Sequence, residues 1–423
     1  MRLHATHPLA RRCGIASTWL GPIAAALLVA GGIPARADEH MVLVDKIDVG
    51  GAGLGAFDIS FDDPKIDLYV LADRTNGSVD FFDASDDTFT GRVGGFQGVV
   101  LNANGTANNG LSGPDGVVII NHNEVWAGDG NSTLKVISIA QFAVTDTIPI
   151  TDPTNPSVKM RVDEMAWDAT DHIMAAANNA NTPPFITMIN TDTHQILGQI
   201  VFNGKNGTPD ATTTGIEQPQ WSPKTGLFYA SVPQISPSDP TQGGVAVIDP
   251  ISMKVTAIYP VTNCTPGGLT LGPRHEAMIG CSGIFGKAPN VISQSLIINL
   301  DNGDIKAAIT QAGGNDEVWY DKGTQHYYLA ARSNETPDGV AKPILGTVDA
   351  NSYAYDGGVA TSTTAHSVAA DSRSHHVFVP IGFVPPGSPA GTDTTNPCPT
   401  KGCIGVYLPS SIDDDDGGKL AKH

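Results

Sequence analysis

The chain has 423 residues, of which 24 are basic and 43 are acidic, so its formal charge is -19 at pH 7. This balance disfavours a nucleic acid or an anionic membrane surface as a partner, because both carry negative charge. With 47 glycines, 30 prolines and few charged residues, the composition is typical of short strands joined by tight turns. Long amphipathic helical periodicity is absent, which argues against a helical fold.

The N-terminus has the pattern of an export signal. Residues 1–37 contain four arginines and no acidic residue, then an apolar stretch over 21–31, and they end in the small-residue site Ala35-Arg36-Ala37. This is the pattern of a secretory signal peptide, and it is too short for a membrane-spanning helix. We therefore predict a periplasmic or secreted protein without membrane insertion. Removal of the four arginines would lower the formal charge from -19 to about -23.

Four of the five cysteines lie beyond this segment, and an even count in an exported chain suggests disulfides. Cys264 and Cys281 flank a Gly-Pro turn midway between them, so an antiparallel hairpin would set them opposite each other. Cys398 and Cys403 close a small loop, and we expect them to pair as well. Cysteines divided in this way do not predict a zinc site.

A repeat of roughly 50 residues runs along the remaining chain, a length typical of propeller blades or solenoids. The clearest copies are Asp316–Asp321 followed by His326–Ala330, and His366–Asp371 followed by His376–Pro380. Units of four antiparallel strands form a propeller, in which the innermost strands line a central channel. The predicted inner strands are Phe57–Asp62, Asp115–Ile120, Asp163–Asp168, Glu217–Ser222, Gly267–Gly272, Asp316–Asp321 and His366–Asp371.

The last unit lacks one strand, since only Ile404–Leu408 follows its second strand. The N-terminal run Met41–Val49 is an unassigned strand that can complete this unit, which would close the ring and remove exposed edges. The sequence therefore predicts an all-β fold, a seven-bladed β-propeller of four-stranded antiparallel blades closed by an N-terminal strand in the last blade. We expect one propeller domain over 38–409 and a disordered acidic tail over 410–423.

The repeated pattern resembles the seven-bladed propellers of the YVTN-repeat, lactonase and amine-dehydrogenase heavy-chain superfamily. The residues that carry the resemblance are Ala365–Asp371 with Val377–Pro380, and more weakly Asp163–Asp168 and Glu217–Ser222. This superfamily hosts lactonases, lyases, electron-transfer partners and binding proteins. The resemblance therefore implies the fold and leaves the function open.

Aligning the inner strands places their first residues around one mouth of the channel. These residues are Phe57, Asp115, Asp163, Glu217, Gly267, Asp316 and His366. Four carboxylates at such range raise one another's pKa, so we expect a positive charge among them.

Hard oxygen ligands favour Ca²⁺, with Mg²⁺, Zn²⁺ and Mn²⁺ as alternatives. The predicted metal ligands are Asp115, Asp163, Glu164, Glu217 and Asp316. In the alternative interpretation, these acids only hydrogen-bond backbone amides of neighbouring loops.

A bound cation would polarise a carbonyl group or activate a water molecule, and His366 is the predicted catalytic acid or base. This arrangement would resemble the calcium- or zinc-dependent gluconolactonase and paraoxonase propellers, although Phe57-Asp58 stands where their first-blade Gly-Glu-Gly-Pro signature would be. The leading hypothesis is a metal-dependent hydrolase of a small ester or lactone. Two inserts, Asn102–Ser112 and Asn203–Thr214, lead into ring residues and are candidates for a lid.

Two other functions stay open at this stage. One is a non-catalytic periplasmic binding or scaffold protein, which takes a small-molecule ligand or a protein partner at a polar channel mouth. The other is an electron-transfer subunit that resembles the amine-dehydrogenase heavy chain, which would need a partner chain because no cofactor ligand is visible.

Overall fold

The computed structural model describes residues 40–282, 293–336, 339–384 and 393–410. The predicted signal peptide lies outside these ranges, and so does the predicted acidic tail apart from Ser410. Both therefore stay predictions. Within the described ranges, no helix is long and apolar enough to cross a membrane.

The described residues form seven antiparallel sheets of four strands each, which confirms the predicted seven-bladed propeller. Each inner strand contacts the inner strand of the next blade, and the last contacts the first, so the sheets form a ring. The strands in chain order are β1 (Met41–Ile47), β2 (Ser60–Asp63), β3 (Leu68–Asp73), β4 (Ser78–Asp83), β5 (Thr88–Gly94), β6 (Val117–Ile120), β7 (Glu124–Asp129), β8 (Thr133–Ser138), β9 (Ala143–Pro149), β10 (Met165–Asp168), β11 (Ile173–Asn178), β12 (Phe185–Asn190), β13 (Ile196–Val201), β14 (Pro219–Ser222), β15 (Leu227–Val232), β16 (Gln242–Asp249), β17 (Lys254–Thr262), β18 (Pro266–Leu271), β19 (Glu276–Cys281), β20 (Ser295–Asn299), β21 (Ile305–Ile309), β22 (Val318–Asp321), β23 (His326–Ala331), β24 (Ile344–Asp349), β25 (Tyr355–Ala360), β26 (Ala369–Ala370), β27 (Val377–Ile381) and β28 (Cys403–Pro409).

Blades 1 to 6 each take four consecutive strands, from β2–β5 to β22–β25, with the first strand innermost. The second and third strands of a blade are buried on both faces, so they have nearly continuous apolar sequences, as in β11. The outermost strands are mostly exposed or half-buried, as in β9, where Ile148 is the one buried residue, because they lie at the outer edge of each blade. A 3-10 turn, Pro273–His275, joins β18 to β19.

The apolar core lies between neighbouring blades. Between blades 3 and 4, for example, Ile186 and Phe202 pack in one cluster with Ile216 and Phe228, and all four are fully buried. Between blades 7 and 1, Tyr69 stacks on Phe378 with ring centroids 4.7 Å apart. Each blade is therefore stabilised by its neighbours, and an unpaired blade would expose both apolar faces.

Blade 7 is completed by the N-terminal strand, as predicted. Its sheet runs β26-β27-β28-β1, and β1 pairs antiparallel with β28 so that Ile47 lies opposite Ile404. Polar contacts join blade 7 to blade 1: His376 Nδ1 lies 2.9 Å from Asp87 Oδ1, and Arg373 pairs with Asp67. The two ends of the chain thus close one blade without a covalent link.

Both predicted cysteine pairs are within bonding distance. Cys264 and Cys281 are joined with a Cα–Cα separation of 4.9 Å, and they flank the β18–β19 hairpin as the turn position predicts. Cys398 and Cys403 are joined with a Cα–Cα separation of 5.8 Å, at the loop that leads into β28. Disulfides of this kind are typical of proteins in oxidising compartments.

The closing strand gives a direct test of this architecture. Replacing buried Ile47 with Ala should lower the free energy of unfolding by about 2–4 kcal/mol, since it opens a cavity against Leu54 and Ile404. Replacing Val42 on the same strand, which is 37% exposed, should cost less than about 1 kcal/mol. Urea unfolding followed by tryptophan fluorescence measures both values. Equal losses in the two variants would mean that β1 does not complete blade 7.

Asp62 of β2 is a carboxyl group buried without a hydrogen-bond partner in the described structure. It is 2% exposed, and neither of its carboxyl oxygens accepts a hydrogen bond. Burial raises its pKa to about 8, helped by the negative charges of Asp371 and Asp63. The folded protein therefore holds this proton over a pH range in which the unfolded chain has lost it.

This proton predicts a pH dependence of stability. Between about pH 4 and pH 8 the folded state binds more protons at Asp62 than the unfolded state, so rising pH favours unfolding. The substitution Asp62→Asn removes this contribution. The free energy of unfolding of the variant minus that of wild type should therefore rise by about 1–4 kcal/mol as the pH goes from 4.5 to 8. Denaturant unfolding at both pH values tests this. The control Asp86→Asn, at an exposed turn, should track wild type, and an Asp62→Asn curve parallel to wild type would contradict the assignment.

Candidate functional site

Equivalent residues of the inner strands converge at one mouth of the channel. Matching backbone hydrogen bonds define the position, because Asp115, Asp163 and Glu217 each donate their N–H to a carbonyl of the second strand of the same blade. The residues at this position are Asp58, Asp115, Asp163, Glu217, Gly267, Asp316 and His366, which we call the mouth ring. The predicted ring is therefore correct in six blades and wrong by one residue in blade 1.

In blade 1 the ring residue is Asp58 and not Phe57. The inner strand ends at Asp63, which pairs with Leu68, so its start shifts by one residue from the predicted register. Phe57 instead stacks on His366, with ring centroids 4.5 Å apart and an interplanar angle of 11°. The phenyl ring thus fixes the plane of the imidazole.

His366 is further oriented by its hydrogen bonds. Its Nδ1–H donates to the carbonyl oxygen of Thr364 over 2.8 Å, which leaves Nε2 directed at Asp58 Oδ1 at 3.5 Å. Because Nδ1 carries the proton in this arrangement, Nε2 is the atom of the neutral imidazole that can accept one. The predicted catalytic residue therefore lies in the mouth ring with a fixed tautomer.

The positive charges at the ring include two arginines, Arg74, which is buried, and Arg161, which is half-buried. Arg74 directly follows β3 and contacts both Asp58 and Asp115. Arg161 lies in the loop before blade 3, with Nη2 2.8 Å from Asp163 Oδ2 and Nη1 3.4 Å from Asp58 Oδ2. The carboxylates of Asp58, Asp115 and Asp163, whose oxygens lie within 4.8 Å of one another, are thus bridged by guanidinium groups.

The acids of the mouth ring differ in the direction in which their pKa values are shifted. Burial alone would raise the pKa of Asp58, but the charge of Arg74, together with that of Arg161, holds it below its usual value. Burial raises the pKa of Asp163 to about 6, against the attraction of Arg161. Burial also raises the pKa of Asp115 and of Glu217 well above the usual range. The ring therefore combines a carboxyl group that ionises readily, Asp58, with carboxyl groups that hold their protons more tightly than usual.

A second layer lies one residue further along the inner strands. Glu317 of blade 6 accepts a hydrogen bond from Gln218 Nε2 of blade 4 over 2.7 Å, across the channel. Gln218 is itself fixed by the backbone N–H of Leu269, 2.5 Å from its Oε1. Glu164 of blade 3 also interacts with Glu317. Burial, together with the charge of Glu317, raises the pKa of Glu164 strongly. Glu164 Oε2 and Glu317 Oε1 are buried and accept no hydrogen bond from a donor in the described residues.

Aromatic residues lie below this layer. Phe61 of blade 1 and Trp319 of blade 6 meet edge to face with centroids 5.3 Å apart, although blade 7 separates their strands in the ring. Both rings lie two residues further along their inner strands than the polar layer of Gln218 and Glu317.

The pocket above has a volume of about 490 Å³, within the range of small-molecule sites. Its lining includes Asp163, Glu164, Glu217, Asp316, Arg161, Arg332 and His366. Arg332 Nη2 lies 2.6 Å from Asp316 Oδ2, and both side chains are partly exposed. Asn109, from one of the two inserts predicted as a lid, also lines the pocket, whereas no residue of the other insert, 203–214, does so. The pocket thus presents acids, bases and cations to one small volume.

The structure brings all five predicted metal ligands to this mouth, with Asp115 beneath the guanidinium groups and the other four lining the pocket. Metal binding by them stays a prediction. Sequence reasoning missed Asp58, Glu317 and the three arginines Arg74, Arg161 and Arg332. Arg74 and Arg332 occupy the same position, directly after the second strand of their blades, where blade 3 has Asn179. Aligning the second strands as well as the inner ones would have indicated these two.

No protein-family model matches this sequence, and neither does any curated protein. The structure is similar to that of hydrazine synthase from Kuenenia stuttgartiensis, with a TM-score of 0.58 and 13% sequence identity. The similarity covers 77% of this chain and 92% of the other. At this identity it shows the propeller fold alone. Membership of the YVTN-repeat or lactonase superfamily stays a prediction.

The guanidinium bridges predict a large effect of one substitution. Replacing Arg161 with Gln leaves Asp58 and Asp163 buried with less compensating charge, so the free energy of unfolding should fall by about 3–5 kcal/mol at pH 7.5. The loss should be smaller at pH 5, because Asp163, whose pKa is raised to about 6, keeps its proton there. Chemical unfolding at both pH values measures this. The exposed pair Arg373–Asp67 supplies the control, and Arg373→Gln should cost less than about 1 kcal/mol. A loss for Arg161→Gln no larger than for the control would contradict the bridging role.

Proposed function

We propose that this protein is an exported propeller that binds a divalent cation in its channel-mouth pocket and hydrolyses a small ester or lactone there. The observation that carries the proposal is the excess of acid at the mouth. Seven carboxyl groups of the described residues surround three guanidinium groups: Asp58, Asp115, Asp163, Glu164, Glu217, Asp316 and Glu317 against Arg74, Arg161 and Arg332. Such an excess is stable only when protons or further cations neutralise it.

The acids differ in how well they suit a metal ion. Asp115 and Asp163 already accept contacts from guanidinium groups, which compete with a metal for the same oxygens. Glu164, Glu217 and Asp316 line the pocket, and Glu164 is buried with an oxygen that accepts no hydrogen bond from the described residues. These three are the ligands that we propose, which narrows the set predicted from the sequence. Asp316 also pairs with a guanidinium group, that of Arg332, but the Arg332 side chain is 39% exposed and can turn to solvent when an ion binds. An all-oxygen set of this kind favours Ca²⁺, with Mg²⁺ or Mn²⁺ as alternatives.

A divalent cation supplies Lewis acidity, which polarises a carbonyl group or lowers the pKa of a water molecule. The protein's own groups would supply the proton transfers. His366 has its Nε2 free of a proton when neutral, so it suits the role of base, and the imidazolium that forms can return the proton as an acid. Arg332, which is partly exposed beside Asp316, suits the orientation of a polar substrate group.

Export is part of the proposal. Its support is the N-terminal signal pattern together with the two disulfides, since structural disulfides persist in oxidising compartments. A second function, non-catalytic binding of a small molecule, is favoured by one observation. Arg74 and Arg161 already neutralise part of the ring, so the pocket can be stable without a metal ion.

Cation binding has a direct test. Calcium at about 100 times its dissociation constant should raise the free energy of unfolding by about 2.7 kcal/mol, and a chelator should reverse the change. Glu217→Gln should abolish the calcium shift, whereas Asp86→Asn, which removes a charge at an exposed turn, should keep it. Thermal or urea melts with and without calcium, magnesium and manganese measure this. Melts that none of these ions moves would refute cation binding.

Activity is tested separately with a panel of lactones and esters. Glu217→Gln, which removes a proposed ligand of the cation, and His366→Gln, which removes the proposed base, should each lower kcat/KM by about 100-fold or more. A protein that binds the cation and one of these compounds but turns over none of them would support the non-catalytic function instead.

A further inference from the structure

We propose that blade 6 carries a separate metal site, formed by His326, Asp349 and Asp356, that takes a zinc-class divalent ion. It lies in a strand ladder away from the channel pocket, and no function described above uses it. The nitrogen or oxygen donor atoms of these three residues lie within 4.8 Å of one another.

Strand register places these side chains together. His326 is the first residue of β23 and lies directly opposite Asp349, the last residue of β24. Asp356 is the extra residue at a bulge in β25, since Thr347 pairs with Gly357 and Val348 pairs with Tyr355. A bulge re-aims the side chain of the extra residue, and here it directs Asp356 toward His326.

The other blades are built in the same way and show what is particular to blade 6. Blades 1 to 5 have a bulge at the corresponding place in their outer strand. The residues at the three corresponding positions are Leu68, Asp83 and Thr90 in blade 1; Glu124, Ser138 and Thr145 in blade 2; Ile173, Asn190 and Leu197 in blade 3; Leu227, Asp249 and Thr256 in blade 4; and Glu276, Asn299 and Lys306 in blade 5. Among these six blades, only blade 6 combines an imidazole with two carboxylates.

The geometry of the donors suits a metal ion. His326 Nε2 lies 3.1 Å from Asp356 Oδ2. Two ligands bound at 2.0–2.1 Å to a tetrahedral ion lie about 3.3 Å apart, so little movement is needed to admit one. A mixed imidazole and carboxylate set favours Zn²⁺, Mn²⁺ or Co²⁺ over Ca²⁺, which prefers oxygen alone.

Neighbouring hydrogen bonds hold one of the three proposed ligands in place. The Asp349 carboxylate accepts hydrogen bonds at Oδ1 from the backbone N–H of Asn351 at 2.9 Å and of Ser352 at 2.7 Å, and from Ser352 Oγ at 3.0 Å. Such bonds orient a ligating carboxylate. The His326 side chain is 2% exposed and that of Asp356 is 20% exposed, so an ion would enter past Asp356. Three protein ligands leave a coordination position for water.

The test uses the full chain freed of metal with a chelator. We expect it to bind one zinc ion at micromolar concentration or below in a titration against a chromophoric chelator, and to show visible absorption bands with Co²⁺. His326→Gln should weaken zinc binding by about 100-fold or more, and Asp356→Asn, at the partly exposed bulge, should weaken it without disturbing the fold. His376→Gln is the matched control, because His376 directly precedes the second strand of blade 7 and contacts a carboxylate of one residue, Asp87.

Zinc binding that survives in Glu217→Gln and in His376→Gln but is lost in Asp356→Asn would support the blade 6 site. Loss of the ion in Glu217→Gln with retention in Asp356→Asn would overturn the inference, because the ion would then belong to the channel mouth. Absence of zinc binding by wild type at micromolar concentration would also overturn it, because the imidazole would then only bridge the two carboxylates.

Discussion

The structure depends on the repulsion among carboxyl groups that ring closure forces together. Each inner strand contributes residues at the same height, and closure by β1 brings residues that are far apart in sequence to one axis. Water is largely excluded there, since Asp115 and Asp163 are buried. Like charges in such a medium cannot all stay ionised, so the fold is stable only when protons or cations compensate them.

The protein supplies part of this compensation itself. Arg74 and Arg161 bridge the acids of blades 1 to 3, while burial raises the pKa of Glu217 further around the ring and of Glu164 and Glu317 in the layer below. The result is an asymmetric mouth, neutralised by guanidinium groups on one side and rich in carboxyl groups with raised pKa values on the other. Groups with pKa values pushed apart in this way are the usual basis of acid-base chemistry, and the pocket above them is of small-molecule size.

The fold was predictable from the sequence because each blade repeats the same strand and turn pattern. The unassigned N-terminal strand also matched the strand that the last blade lacked. The predicted register of blade 1 was wrong by one residue, because Asp62 and Asp63 both precede Pro64 and the strand pattern does not distinguish them; the pairing of Asp63 with Leu68 shows where the strand ends. The arginines of the mouth were not predictable from the inner strands. Arg161 lies in a connecting loop, and Arg74 and Arg332 follow second strands, so only the folded ring brings them to the acids. Glu317 was missed because the alignment of the inner strands assigned the mouth position of blade 6 to Asp316, the residue before it.

The central claim is that the acids at the mouth leave room for one further cation. The most direct measurement is a crystal structure with Mn²⁺, in which anomalous scattering locates the ion independently of the protein phases. The account predicts an anomalous peak in the pocket, in contact with carboxyl oxygens of Glu164 and Glu217. A map of Mn²⁺-containing crystals with no peak in the pocket, or with the ring carboxylates turned outward into solvent, would contradict it.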